Sequence, residues 1–208
     1  MLTKKFKSAL AASTLLVGLA FAGSASSAVI FNGGEFDLSF TQEGDTPTYT
    51  VVYTADFTNW SGPDNQQFMA GLNFKPDTGA VPTTFSLTAT TAGTVDDWAI
   101  DLSTLSANGC GGGAESFVCG EADPFNVAPT TTGQKFTWTF SLAYAAVLEE
   151  SAFTNMPIRA WFVDGEGKNS GLMSETVNRV PEPATVGLLG LSLLGLAALR
   201  RRSLSKKS

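Results

Sequence analysis

Two cysteines, Cys110 and Cys119, bracket a glycine-rich stretch, and the 208-residue chain contains no histidine. Without imidazole, no Ser-His-Asp or Cys-His nucleophile, histidine general base or His-based zinc site can be assembled. The chemistry left to the two thiols is with each other. In an oxidising compartment their default state is a disulfide, and closing a ten-residue loop is worth roughly 2.5 to 3 kcal/mol in the chain-entropy model. Gly109-Cys110-Gly111-Gly112-Gly113-Ala114 nominally matches a dinucleotide-binding loop. That fingerprint requires a helix immediately after it, whereas Phe117-Val118-Cys119 follows, so a stapled loop is the better reading.

Carboxylates supply the next candidates. Asp164, Glu166 and Asn169 share one glycine-rich turn, and Asp96, Asp97 and Asp101 form a second acidic segment. Oxygen-rich turns can supply calcium with its six to eight ligands, so Asp164, Glu166 and Asn169 are the candidate metal set and calcium the one candidate cofactor. No 12-residue EF-hand loop with a terminal Glu accompanies them. A glycosidase needs two carboxylates facing one another across a cleft. Glu149 and Glu150 diverge by about 100° if helical, and no other pair is marked out. No catalytic residue is therefore assigned, and the chain is expected not to be an enzyme. Trp60, beside the turn Ser61-Gly62-Pro63-Asp64, is the best placed of the four tryptophans for stacking on a sugar ring.

Alternation with period two recurs through the centre of the chain. Phe36, Leu38 and Phe40 alternate with Glu35, Asp37 and Ser39, as in a half-buried strand. The same pattern marks Tyr49 to Phe57, Phe68 to Phe74, Phe85 to Ala89, Trp98 to Leu102 and Phe136 to Tyr144. A last hairpin is expected from Ile158–Val163 and Leu172–Val177, and a short helix from Ala145 to Ala152. Breakers such as Lys75-Pro76-Asp77-Thr78-Gly79 separate the strands. The expected fold is all-β, an antiparallel β-sandwich of jelly-roll-like or Ig-like type.

Both termini read as targeting segments. Lys4, Lys5 and Lys7 precede an apolar run from Ala9 to Ala22, and Gly23-Ser24-Ala25-Ser26-Ser27-Ala28 offers small residues to signal peptidase. Residues 1–28 are thus expected to be a secretory signal peptide, cut after Ala28 or, as second choice, after Ala25. At the other end, Pro181-Glu182-Pro183 is followed by an uncharged run from Ala184 to Leu199 and then by Arg200, Arg201 and Arg202. Sixteen residues rise about 24 Å as a helix, short of the roughly 30 Å hydrocarbon core. The arginines oppose translocation and stay cytoplasmic. The region between, 29–179, holds 18 of the 19 acidic but only five of the 13 basic residues, a net charge of −13. Such a field repels nucleic-acid phosphate.

The ordered set of Pro181, Glu182 and Pro183, a Gly/Leu/Ala segment and an arginine cluster resembles the PEP-CTERM sorting signal of bacterial surface proteins. The resemblance covers about a tenth of the chain. It implies that an exosortase-type membrane peptidase recognises the triplet and processes the tail, and that the cargo belongs at the cell surface or in extracellular polysaccharide. Two prolines around one residue hold the backbone extended, as a protease cleft requires.

Three segments are therefore expected: the signal peptide, the exported domain 29–179, and the sorting signal 180–208 with a transmembrane helix over 184–199. The partners implied are signal peptidase, the exosortase-type enzyme, the inner membrane and, for the domain, extracellular polysaccharide. A surface-attached carbohydrate-active enzyme and a calcium-stabilised adhesion module are the alternative readings. Replacing Glu182 with Gln should leave membrane insertion intact but make the unprocessed form accumulate, which fractionation and blotting of the producing cells would reveal.

Overall fold

The computed structural model describes residues 25–113 and 116–180. The apolar run of the expected signal peptide, the sorting triplet and the expected transmembrane helix lie outside them. Among the described residues no helix is long and apolar enough to cross a membrane. Thirteen strands follow in order: β1 (Ala25–Ser27), β2 (Val29–Phe31), β3 (Gly34–Gln42), β4 (Thr48–Asp56), β5 (Phe68–Phe74), β6 (Thr84–Thr90), β7 (Trp98–Leu102), β8 (Thr104–Ser106), β9 (Gly109–Gly112), β10 (Val118–Ala122), β11 (Lys135–Ala143), β12 (Asn155–Val163) and β13 (Asn169–Val180). One sheet has the order β1-β13-β12-β5-β10-β7 and the other β2-β3-β4-β11-β6, with β8 and β9 forming a separate hairpin. All pairings are antiparallel.

The alternation read from the sequence is realised in β3, β4 and β11, but register shifts interrupt it in β5, where Phe68 and Ala70 leave the face of Leu72 and Phe74, and in β6, where Ala89 is exposed. In β3, Phe36, Leu38 and Phe40 are buried, and in β4 and β11 every second residue is. These side chains meet Leu72, Phe74, Ile158, Ala160 and Phe162 of the opposite sheet in one core. The molecule is thus a β-sandwich. Val29–Phe31 joins β3 through Asn32 and Gly33, both at positive φ, the pattern of a tight type I′ hairpin. A Cβ on Gly33 would lie 2.0 Å from the carbonyl oxygen of Asn59, so only glycine fits there.

The outer face of the six-stranded sheet is exposed on β7 and β13 but covered over parts of β5, β10 and β12. The β8–β9 hairpin folds over it, and Leu105, Ala70, Cys119, Trp161 and Val163 form a second small core beneath. Trp161, which strand parity places opposite Ile158 and Phe162, is buried there, with its indole N–H donating to Asn169 Oδ1 at 3.1 Å. Arg159 Nη1 donates to the Leu105 carbonyl at 2.9 Å and so fixes the hairpin from below. The Cys110–Cys119 disulfide ties β9 to β10, with Cα atoms 5.9 Å apart.

The expected helix over Ala145–Ala152 does not form; only a 3₁₀ turn, Glu150–Phe153, is present. The Tyr49 hydroxyl accepts from the Leu148 N–H at 2.8 Å and donates to the Leu148 carbonyl at 3.5 Å. Both backbone groups that a helix would use are thereby held by a strand side chain, while Leu148 packs against the core. Removing the disulfide with Cys110→Ser and Cys119→Ser should destabilise the protein by roughly 2.5 to 3 kcal/mol. Urea denaturation checks this, and the wild type in reductant should reproduce the loss.

Candidate functional site

The segment after β4 builds an open cleft of about 320 Å³ at one end of the sandwich, lined by Phe57, Thr58, Trp60, Gly62, Pro63, Asp64, Gln66, Thr130, Thr131 and Gly133. Trp60 makes the aromatic wall. Its ring centroid lies 5.3 Å from Phe57, edge-on, and 5.1 Å from Phe162, tilted by 31°. Because Phe57 follows β4 of one sheet and Phe162 belongs to β12 of the other, the indole plugs the gap between them. Gly34 and Gly62 are forced by this packing. A Cβ on Gly62 would sit 2.4 Å from Trp60 Cζ2, and one on Gly34 2.9 Å from Trp60 Cε3. Trp60 is consequently half-buried, offering only part of its ring to a ligand.

The polar side of the cleft divides into fixed and free groups. Gln66 is buried: its Oε1 accepts from Asn32 Nδ2 at 3.1 Å and its Nε2 donates to the Ser170 carbonyl at 3.2 Å. Thr130, fully buried, donates its hydroxyl to the Gln66 carbonyl at 2.5 Å, and its N–H goes to Gln67 O. These bonds knit the floor. Thr58, Asp64 and Thr131 are exposed on the rim. Asp56 Oδ1 accepts the Thr58 N–H at 2.9 Å, and bonding to Thr58 holds the Asp56 carboxyl below its usual range. Sequence reading singled out Trp60 alone. Asp64 appeared only as part of a turn, and Thr130 and Thr131 carried no signal, because they reach the cleft from a loop distant in sequence.

In the Asp164 turn each of the three candidate side chains already has a partner within the protein. Asp164 Oδ1 accepts the N–H groups of Glu166 and Lys168, each at 2.9 Å; the Glu166 carboxylate pairs with the Lys168 ammonium; and Asn169 faces Trp161. The second acidic segment is likewise self-engaged, Asp97 Oδ2 accepting from Thr94 N and Oγ1. Among the described residues no group of three or more His, Cys, Asp or Glu side chains is placed to hold a metal. Glu121 accepts the Cys110 N–H at 2.9 Å and supports the disulfide hairpin.

β13 runs to Val180, immediately before the Pro181-Glu182-Pro183 triplet. The class defined is thus a disulfide-linked β-sandwich whose last strand leads straight into a C-terminal sorting segment. Residues 179–202 match the PEP-CTERM protein-sorting motif, so the chain carries a C-terminal sorting signal of that kind. That signal marks it for export, exosortase-type processing at the membrane and the cell surface. No curated protein matches the chain. Among solved structures, the yeast delta-COP-I mu-homology domain is 9% identical with a TM-score of 0.36, covering 72% of this chain and 51% of that one. The RrgA Jo.In complex is 12% identical with a TM-score of 0.36, over 75% and 83% of the two chains. The collagen-binding domain from a Staphylococcus aureus adhesin is 8% identical with a TM-score of 0.32, over 68% and 95%. The chain therefore spans about half of the first of these.

The backbone N–H groups of Lys168 and Glu166 hold the Asp164 carboxyl below its ordinary 3.8. A carboxyl whose folded pKa is depressed adds stability that is present above the unfolded value and lost as pH falls through the folded one. Asp164→Asn should therefore lower Tm at pH 7 and make little difference at pH 2.5, a contrast that thermal melts at the two pH values would show. Chelator should leave the wild-type Tm unchanged if the turn holds itself as drawn.

Proposed function

We propose that the sandwich is a non-catalytic, glycan-contacting module, carried by an exported protein to the cell surface or into an extracellular polysaccharide matrix. In this reading residues 1–28 direct secretion, and the 184–199 segment anchors the chain in the inner membrane until exosortase-type processing. The observation that carries the glycan assignment is the cleft: an aromatic wall at Trp60, a floor whose polar groups already have partners, and a rim of exposed Thr58, Asp64 and Thr131. Hydroxyls and a carboxylate beside an apolar ring suit a polyhydroxylated ligand, which presents C–H faces and O–H edges together. Binding without turnover is supported by the lining itself. Asp64 is its one carboxylate, whereas glycoside hydrolysis uses two. The net charge of −13 over residues 29–179 favours neutral over acidic polymers.

Co-sedimentation of the protein with polysaccharide from the producing bacterium tests this. Saturable binding is expected, weakened several-fold by Asp64→Ala and by Thr131→Ala with Tm unchanged. Trp60→Ala should cost binding and also roughly 3 kcal/mol of stability, because the indole fills the gap between the sheets. Binding that ignores all three substitutions, or no binding, rejects the cleft as a glycan site. Release of soluble sugar would reject the non-catalytic reading.

A further inference from the structure

The fold places the three residues of β1, just before the first expected cut, beside the last residues that precede the sorting triplet in sequence. β1 lies antiparallel on β13 with Ala25 opposite Val180, Ser26 opposite Arg179 and Ser27 opposite Asn178. On its other side β13 pairs with β12, but that ladder ends at Asn155 opposite Asn178. Among the described residues, Arg179 and Val180 are therefore held in the sheet by β1 alone. They are also the last two residues before Pro181 and the first two of the matched sorting motif.

Ala25–Ser27 carry a second duty in the sequence, as the small residues that signal peptidase reads in extended form. Cleavage after Ala28 removes β1 entirely. Cleavage after Ala25 leaves Ser26 and Ser27, and with them the pairing to Arg179. We propose that signal-peptide removal after Ala28 strips the strand that covers Arg179 and Val180, and so licenses the neighbouring triplet for the exosortase-type peptidase. The two cuts are thereby ordered, N-terminal before C-terminal. The proposal rests on residues 1–28 being a secretory signal peptide.

The physical basis is steric and covalent. A protease takes its substrate as a free extended segment, and residues still bonded into a sheet must first be unzipped. Two prolines at 181 and 183 deprive the triplet of two N–H donors, so the segment beyond Val180 is ill suited to extend the ladder. Among the described residues the boundary of pairing is Ala25 with Val180, immediately before the triplet in sequence. Cutting one peptide bond after Ala28 moves that boundary back to Asn178, where β12 takes over.

The test follows both ends of the full chain in the producing bacterium by pulse-chase, with an epitope after Ser208 and the mature N-terminus read by mass spectrometry. The expected order shows tail-bearing, signal-cleaved chains first, beginning at Val29. A block with Ala25→Leu and Ala28→Leu, leaving both candidate sites without a small residue, should retain the tail at least about fivefold longer. Each net backbone hydrogen bond shifts an opening equilibrium by a factor of roughly two to twelve. Adding Ser26→Pro and Ser27→Pro to that block removes the pairing donors and should restore tail processing although the signal remains attached. Three results overturn the proposal: chains that lose the tail while keeping the signal peptide in the blocked variant, a mature N-terminus at Ser26, or no restoration by the prolines. An N-terminus still at Met1 in chains that have lost the tail would instead overturn the signal-peptide reading itself.

Discussion

Everything in this molecule hangs on aromatic rings interleaved between two sheets. Phe40 of one sheet meets Phe74 of the other at 6.1 Å, and Phe74 meets Phe140 at 5.0 Å; near the opposite end, Phe36 and Trp60 both pack on Phe162. Trp138 stacks edge-on against both Tyr53 and Trp98. Such pairs contribute about 0.5 to 1.5 kcal/mol each beyond the area they bury. More important here is geometry. Rings fill the gap between twisted sheets with few rotatable bonds, and the surrounding chain must then yield space. The glycines at 34 and 62 are the consequence, and the cleft beside Trp60 is what remains where the plug stops short of the surface.

The second constraint is that β5, β10 and β12 have no wet face. Their inner residues enter the main core and outer ones such as Ala70, Cys119, Trp161 and Val163 are roofed by the β8–β9 hairpin. A roof made of the glycine-rich hairpin over residues 104–112 has little apolar area of its own, so it is fastened by other means. The disulfide ties it to β10, Glu121 takes the Cys110 N–H, and the Arg159 guanidinium takes the Leu105 carbonyl. Lys75 and Arg159 also approach the Phe117 ring, at 4.7 and 5.6 Å, closing the near edge by cation–π contact. Two of the few cations of the domain are thus consumed in holding its lid.

These two constraints explain what could be read from the sequence. Strands with one dry and one wet face, β3, β4 and β11, declare themselves by alternation, and their register follows. β5 reads Phe-Met-Ala-Gly-Leu-Asn-Phe: a simple period of two puts Phe68 and Ala70 with Leu72 and Phe74, but a register shift against β12 turns them to the second core, and nothing local announces that shift or the distant hairpin that covers Ala70 and Gly71. Trp161 showed which way it pointed and not what it met. The segment Ala145–Ala152 has helix-forming composition, and a tyrosine nearly a hundred residues away overrides it. Likewise Trp60 stood out by type, whereas Asp64 and Thr131 became partners only through folding. The disulfide and the sorting motif were legible because each rests on few residues with fixed chemistry.

Strand β13 joins these local facts into one axis. At its start, the Ser170 carbonyl receives Gln66 from the floor of the cleft; at its end, Val180 hands the chain to the sorting triplet. Ten residues separate the two points, roughly 30 Å at the rise of an extended strand. The cleft and the last described residue of β13 are therefore at opposite ends of that strand. A rigid strand does this without a hinge, since β13 is clamped by β12 along nearly its whole length. The cleft and the sorting motif are kept apart because a single continuous strand runs between them.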